Sequence, residues 1–352
     1  MAKEKTFSAF GPVPQWTRKW GMLFLILLVV GTGFVLWRNG QKQWHTASGP
    51  IFGTEYNVKY LAHENLNKDL LGELQRVDNS LSMFNQNSNL SKINKGLTCE
   101  ADELVVEVLT LAQQVSGATA GAFDVTVGPL VNAWGFGFKQ GTMPTDAQVD
   151  SLRAFVGADK LKLTGNKVAR ADKRMVIDCG AIAKGYAVDR LAGLLRARGV
   201  EHFMIEVGGE IRTHGKNSED KDWSIGIQRP TSSGAGSESQ GIEAIMPCSN
   251  KAMATSGNYR NFYVKDGKRY AHTIDPRTGR PVEHSLLSAT VLAPTCAEAD
   301  AYATAFMVMG EEEAKKLLSA QPQLQAVLIS EGKDGTLVTW HTPTLYVDKN
   351  SH

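Results

Sequence analysis

Asp300 and Thr304 sit four residues apart in the run Ala299-Asp300-Ala301-Tyr302-Ala303-Thr304-Ala305. The surrounding stretch Cys296–Met309 is Ala-rich and free of Gly and Pro, which predicts a helix. Residues four apart share one helix face, so a carboxylate and a hydroxyl project side by side. Two hard oxygens on a rigid face suit Mg²⁺, which takes a few protein oxygens and the rest from water and phosphate. Alone, such a pair also has an ordinary reading: an exposed acid beside a hydroxyl bonded back to its own helix.

Two upstream segments supply what a phosphate ligand would also need. In Val176-Ile177-Asp178-Cys179-Gly180-Ala181-Ile182-Ala183-Lys184-Gly185-Tyr186 an apolar run enters a small-residue turn, and a helix with Leu191, Leu194 and Leu195 follows. Small residues let backbone N–H groups approach a phosphate, the helix N-terminus adds positive potential, and Lys184 adds a point charge. In Tyr270-Ala271-His272-Thr273-Ile274-Asp275-Pro276-Arg277-Thr278-Gly279-Arg280-Pro281, the Asp-Pro-x-x-Gly punctuation marks a tight turn and leaves His272 near a strand end.

With these segments in view, the sequence resembles the ApbE family of FAD:protein FMN transferases. Six segments match in the family's order: Gly121–Leu130, Asp178–Asp189, Glu206–Ile211, Ala254–Arg260, His272–Pro281 and Asp300–Thr304. The match runs over roughly residues 50–345, and six ordered segments are more specific than any one.

The resemblance implies a fold and a set of roles. The fold would be α+β, an ApbE-type, T-fold-like single catalytic domain with a mixed, largely antiparallel sheet, with FAD in a cleft between two halves. Asp300 and Thr304 would hold Mg²⁺ together with the backbone carbonyl of Ala181. Asp178 and Lys184 would meet polar groups and phosphates of FAD, and Ala122, Phe123 and Asp124 would contact the flavin. Phe123 could equally be core and Asp124 a helix cap. Phe84 stands where relatives carry an aromatic near the flavin, with plain packing as its alternative. Phe52 is a departure, because many relatives have Met before this Gly-Thr. Gly208, Gly209, Ser256, Gly257, Arg260 and Ile274 complete the cofactor-binding set. His272 is the candidate general base, since imidazole can take a proton from Ser or Thr at neutral pH; a positioning role is its alternative.

The implied reaction attaches FMN from FAD through a phosphoester to Thr or Ser of exported respiratory flavoproteins, releasing AMP. The acceptors would carry a flavinylation motif, as in subunits of the Na⁺-translocating NADH:quinone reductase or Rnf-type complexes. FAD pyrophosphatase activity and non-catalytic periplasmic flavin delivery are the competing readings. A dinucleotide oxidoreductase is disfavoured, because Gly180–Gly185 lacks the Gly-x-Gly-x-x-Gly spacing.

Composition bounds the rest. The chain has 352 residues, 42% hydrophobic and 21% charged, ample material for a core. A formal net charge of +2, with no basic stripe interleaved with aromatics, argues against nucleic acid. Trp20–Trp37 is free of charge, bracketed by Trp, preceded by Lys3, Lys5, Arg18 and Lys19, and followed by Arg38 and Lys42. That predicts an uncleaved transmembrane anchor with the rest of the chain facing outward, which the family resemblance makes a bacterial inner membrane with the catalytic part facing the periplasm. A cleaved signal peptide is disfavoured by the long apolar run and the missing Ala-x-Ala site. The resulting division is a cytoplasmic segment 1–19, an anchor 20–37, a linker 38–50, a catalytic domain 51–345 and a tail 346–352. Cys99, Cys179, Cys248 and Cys296 are scattered and form no metal-binding pattern.

The elements that must position these residues are legible in outline. Strands are expected at 56–61, 175–178, 203–207, 223–228, 242–246, 286–292, 324–329 and 336–341, and a hairpin turning at Asp266-Gly267 joins 261–264 to 269–274. Helices are expected at 65–81, 102–115 and 183–198, beside the one at 296–309.

Overall fold

The computed structural model describes residues 15–39, 41–136, 143–230, 241–258, 262–265 and 268–348. Within them, one eight-stranded sheet holds its strands in space in the order they have in the chain. These are β1 (Gln43–Ile51), β2 (Thr54–Ala62), β3 (Phe203–Val207), β4 (Glu210–His214), β5 (Ala252–Gly257), β6 (Leu286–Ala293), β7 (Gln325–Glu331) and β8 (Leu337–His341). Every neighbouring pair is antiparallel. The expected α+β architecture with an antiparallel sheet is therefore observed.

Helices fill the excursions between strands: α1 (Gln15–Asn39) precedes the sheet, and α2 (Asn67–Leu81), α3 (Glu103–Ala118) and α4 (Ala183–Ala197) lie between β2 and β3. Helices α5 (Cys296–Met309) and α6 (Glu311–Ala320) join β6 to β7. Leu70, Leu74, Val77 and Leu81 make the buried stripe of α2, and the Asp102 side chain caps α3 by accepting from Val105 N–H. Helix α5 is buried nearly all round, which is why its sequence is small and apolar on every side.

Side-chain alternation gives the sheet two unlike faces. Tyr56, Val58 and Tyr60 of β2 and Phe203, Ile205 and Val207 of β3 enter the core shared with the helices. On the other face, Ile211, Met253, Leu292, Val327 and Ile329 are covered by a separate antiparallel ribbon, Ser224–Gln228 paired with Ile242–Pro247. That ribbon leaves Glu55, Asn57 and Glu206 of the same face uncovered, each exposed or half-buried.

Several expectations need correction. Residues 43–50, read as linker, belong to edge strand β1; only Ala47 is buried there, so the strand carries almost no hydrophobic alternation. The expected strand 175–178 is an extended segment with one isolated bridge, Val127 to Val176. The Asn94 side chain takes the place of a ladder partner, accepting from Ile177 N–H and donating to its carbonyl, both at 2.8 Å. The expected strand 269–274 divides: Lys268–Ala271 pairs with Phe262–Lys265, and Ile274–Asp275 turns back onto Arg280–Pro281. All four cysteines are free.

Helix α1 covers the predicted anchor, and its described side chains from Trp20 to Val30 are largely exposed. Among the described residues no helix is long and apolar enough to cross a membrane. The described residues thus do not support the spanning segment read over 20–37.

Candidate functional site

The site is assembled by the crossing of α4 and α5. Gly185 faces the start of α5 so closely that a Cβ there would collide with the Cys296 backbone. Asp189, one turn further along α4, accepts from Cys296 and Ala297 N–H at 3.0 and 2.9 Å and pairs with Arg212. A capping box between Thr295 and Glu298 fixes the same helix end. These contacts place Asp300 against the N-terminus of α4, where its Oδ2 accepts from Gly185 N–H at 3.1 Å. Ile182 at the N-cap supplies no side-chain acceptor, so Asp300 acts as the cap from another helix.

Lys184 joins two carboxylates. Its ammonium lies 2.6 Å from Glu210 Oε1 and 3.9 Å from Asp300 Oδ1. Burial lifts the Asp300 carboxyl above its usual range, against the pull of Lys184. Burial, with Asp300 adding to it, raises Glu210 to about 8. Burial works against the Lys184 charge, but the two carboxylates outweigh it and hold the ammonium protonated. Glu210 Oε2 is buried and without a hydrogen-bond partner.

A cleft of about 310 Å³ opens beside this triad. Of the predicted residues, Ala122, Phe123, Asp124, Asp178, Ala181, Lys184, Ser256, Gly257, His272, Ile274, Asp300 and Thr304 all line it. Thr304 Oγ1 is 3.1 Å from Ser256 Oγ, which ties α5 to the end of β5. Asp178 Oδ1 accepts from Gly180 N–H at 2.8 Å, shaping the loop before α4, while burial raises its pKa. Asp124 Oδ1 accepts from both the N–H and the hydroxyl of Thr126 at 2.7 Å, so it caps its own loop as well as facing the cleft. His272 is half-buried, edge-on to Phe136 with ring centroids 6.4 Å apart. The neighbouring turn is held by Trp134 Nε1 donating to the Gly279 carbonyl at 2.8 Å and by the Arg277–Asp275 ion pair.

The remaining predicted residues lie beside the cleft. Phe52 and Phe84 line an adjoining pocket of about 200 Å³ that shares Asp178, Gly180 and Lys184 with it. Phe52 has a left-handed backbone, φ 52°, next to Gly53 at φ 74°, in the two-residue β1–β2 turn. Gly208 and Gly209 line a neighbouring trough and not the cleft itself. Arg260 lies outside the described residues. A larger hollow of about 630 Å³ near Lys160 and Arg153 meets the site only at Asp124 and Pro276, away from the triad.

The donor chemistry suits a hard cation shared with phosphate. Among the described residues no group of three or more His, Cys, Asp or Glu gathers as a metal cage. Asp300, Thr304 and Ala181 nonetheless line one cleft, and Mg²⁺ characteristically binds through one or two carboxylates and substrate oxygens. Sequence reading missed Glu210, Gly185 and Asp189 as parts of the site, although all three lie within segments that carried the resemblance.

Comparison with known proteins agrees with this geometry. The ApbE family model matches residues 52–328. An FAD:protein FMN transferase of Vibrio cholerae is 38% identical over 299 residues, 82% of this chain and 88% of its own. One from Haemophilus influenzae is 39% identical over 83% of this chain and 88% of its own. Among solved structures, the flavin transferase ApbE of Vibrio cholerae superposes with a TM-score of 0.77 at 35% identity, over 86% of this chain and 98% of its own. The apo flavinyl transferase ApbE of Pseudomonas stutzeri gives 0.77 at 31% identity, over 86% and 96%. With six ordered motifs converging on one cleft and relatives this similar along most of its length, the chain belongs to the ApbE family.

Proposed function

We propose that this cleft cuts FAD between its phosphates and hands FMN to a protein hydroxyl. The activity is FAD:protein FMN transfer, as in the relatives. The observation that carries it is the meeting of Lys184, Asp300, Thr304 and His272 on one cavity at the N-terminus of α4. The Gly180–Gly185 loop and Lys184 would receive the diphosphate, since a helix N-terminus and an ammonium both favour anions. His272 would take the proton as the acceptor oxygen attacks the FMN-side phosphorus. The bond from that phosphorus to the bridging oxygen breaks, and AMP leaves with it. Asp300, Thr304 and the Ala181 carbonyl would hold Mg²⁺, which when bound neutralises charge on phosphate oxygens. Phe52 and Phe84 offer an apolar pocket of a kind that takes an aromatic ring system.

The acceptors would be exported flavoproteins of the Na⁺-translocating NADH:quinone reductase or Rnf type, with the catalytic domain facing the periplasm. The charge-free run Trp20–Trp37, with Lys3, Lys5, Arg18 and Lys19 before it, is the sequence feature behind this inner-membrane anchor. The test combines residues 41–352 with FAD, Mg²⁺ and an acceptor domain of that type, followed by mass spectrometry. A covalent FMN adduct on Ser or Thr with release of AMP is expected. FAD cleavage without an adduct would mean a pyrophosphatase instead.

A further inference from the structure

The Thr304 hydroxyl is not bonded back to its own helix. Among the described residues its one hydrogen-bond partner is Ser256 Oγ, 3.1 Å away near the end of β5. Thr110 in α3 shows the usual arrangement of a helical Thr, donating to the Val106 carbonyl one turn back at 2.7 Å. Ser256 owes its place to the sheet. Alternation along β5 sends Ala252 into the core shared with the helices and Met253 into the opposite one, so Ser256, in phase with Ala252, points towards the helices. Across the ladder it faces Ala289, which carries no polar side chain. Ser256 and Thr304 are both half-buried, and both line the cleft with Asp300.

A hydroxyl carries one proton and two lone pairs. A Thr304 oxygen that gives a lone pair to a cation does best with its proton turned away from that cation, onto an acceptor, and the cation makes the proton a stronger donor. Ser256 Oγ stands where that acceptor is needed. The opposite direction, Ser256 donating to Thr304, would leave the Thr304 proton without an acceptor among the described residues. With Thr304 as donor, the Ser256 proton is left for the cleft, because among the described residues no group besides Thr304 is hydrogen-bonded to Ser256 Oγ.

We propose that Ser256 positions Thr304: its Oγ accepts the Thr304 proton, which aims a Thr304 lone pair at the divalent cation, and its own O–H donates to a phosphate oxygen of FAD. The proposal rests on the FMN-transfer reading and the cation in it. The two hydroxyls then form one chain from cation to diphosphate, and each ligand orders a donor that the other uses.

The test uses the full chain with Mn²⁺ as the probe, since Mn²⁺ takes the same oxygen ligands as Mg²⁺ and its free fraction is read by electron paramagnetic resonance. Ser256→Ala should raise the Mn²⁺ dissociation constant about tenfold, the lower end of what loss of an outer-shell partner costs. Ser256→Thr, which keeps the hydroxyl, should restore it. In a Thr304→Val background Ser256→Ala should leave Mn²⁺ affinity unmoved, because the residue it acts through is gone. Should Ser256→Ala not fold, Ser256→Cys, a weak acceptor, carries the same expectation. The phosphate link is read by titrating ADP without metal, a diphosphate with no flavin to transfer. Ser256→Ala should weaken ADP binding about three- to tenfold, as for one lost hydrogen bond. Wild-type Mn²⁺ affinity in Ser256→Ala, an equal loss in the Thr304→Val background, or unchanged ADP affinity would overturn the proposal. If the wild type transfers FMN while Mn²⁺ affinity ignores Ser256→Ala, this proposal alone falls. A wild type that binds no Mn²⁺ removes the cation from the transfer reading, and this proposal with it.

Discussion

The Lys184 ammonium lies 2.6 Å from one oxygen of Glu210, while the other oxygen of that carboxylate is buried and unpartnered. One ammonium thus serves two buried acids, Glu210 and Asp300. This has a pH signature. Burial raises Glu210 from 4.5 to about 8. A raised folded-state pKa contributes stability that is complete below the unfolded value and is lost as pH climbs through the folded one. Stability from this group should therefore fall between about pH 4.5 and 8. Glu210→Gln should flatten the dependence of melting temperature on pH in that window. An unchanged slope would show that Glu210 stays ionised in the folded protein.

Asp300 has two duties that can be separated. Its charge faces the cleft, and its Oδ2 caps α4 through Gly185 N–H. Asp300→Asn keeps an acceptor for that cap, so it should fold with nearly wild-type stability yet transfer FMN about 10–100-fold more slowly, the span typical of a damaged metal site. Asp300→Ala should lose the cap as well, at a further cost of about 1 kcal/mol in unfolding free energy. Thr304→Ala should weaken the response to added Mg²⁺ more mildly, because a neutral hydroxyl contributes less than a carboxylate. Transfer rates against Mg²⁺ concentration, beside denaturation curves, check all three. Full activity of Asp300→Asn would remove the metal reading.

How much of this was legible depends on the range of the interaction. Helix α5 could be read end to end, because an Ala-rich run without Gly or Pro is a local property, and Asp300 and Thr304 share a face by spacing alone. Glu210 could not. Its partner Lys184 is 26 positions away, and nothing in local periodicity reports that two carboxylates will be buried around one ammonium. Strand β1 was hidden for a different reason: an edge strand with one buried residue has no alternating pattern to detect. At residues 175–178, β-propensity was right about extension but wrong about pairing, since the Asn94 side chain occupies the backbone groups of Ile177.

The start of β1 sets where an N-terminal truncation can fall. Removal of residues 1–40 leaves Gln43–Ile51 whole and should give a soluble protein that still binds FAD. Removal through Ile51 strips the strand from β2, exposes that edge and should lower solubility and melting temperature together. Full-length protein that stays soluble after membranes are cleared would count against the anchor.

Phe52 tests whether backbone strain is kept for a ligand. Its φ of 52° is uncommon for a bulky residue, and its ring lines the pocket beside Met83 and Phe84. Asn tolerates this conformation, so Phe52→Asn relieves on the order of 1 kcal/mol of strain and forfeits packing of about the same size. Stability should stay near the wild-type value while FAD affinity falls by about tenfold, as expected for a lost aromatic contact of about 1.4 kcal/mol. Equal FAD affinity in the two proteins would make Phe52 a packing residue only.

His272 separates chemistry from binding. It lines both the cleft and the neighbouring trough, where an acceptor hydroxyl could reach a dinucleotide held in the cleft. Asp275, the nearest carboxylate in sequence, is engaged by Arg277 at 2.9 Å and does not line the cleft. If His272 removes the acceptor proton, His272→Ala should bind FAD normally while its transfer rate falls about 10²–10⁴-fold, the span of a lost general base. The residual activity should also lose the rise with pH that imidazole titration gives the wild type. A positioning role predicts the reverse: weaker FAD binding and a pH profile of unchanged shape. FAD affinity and single-turnover transfer, measured across pH for both proteins, distinguish the two. Near-normal turnover in the variant would leave the phosphate itself as the proton acceptor.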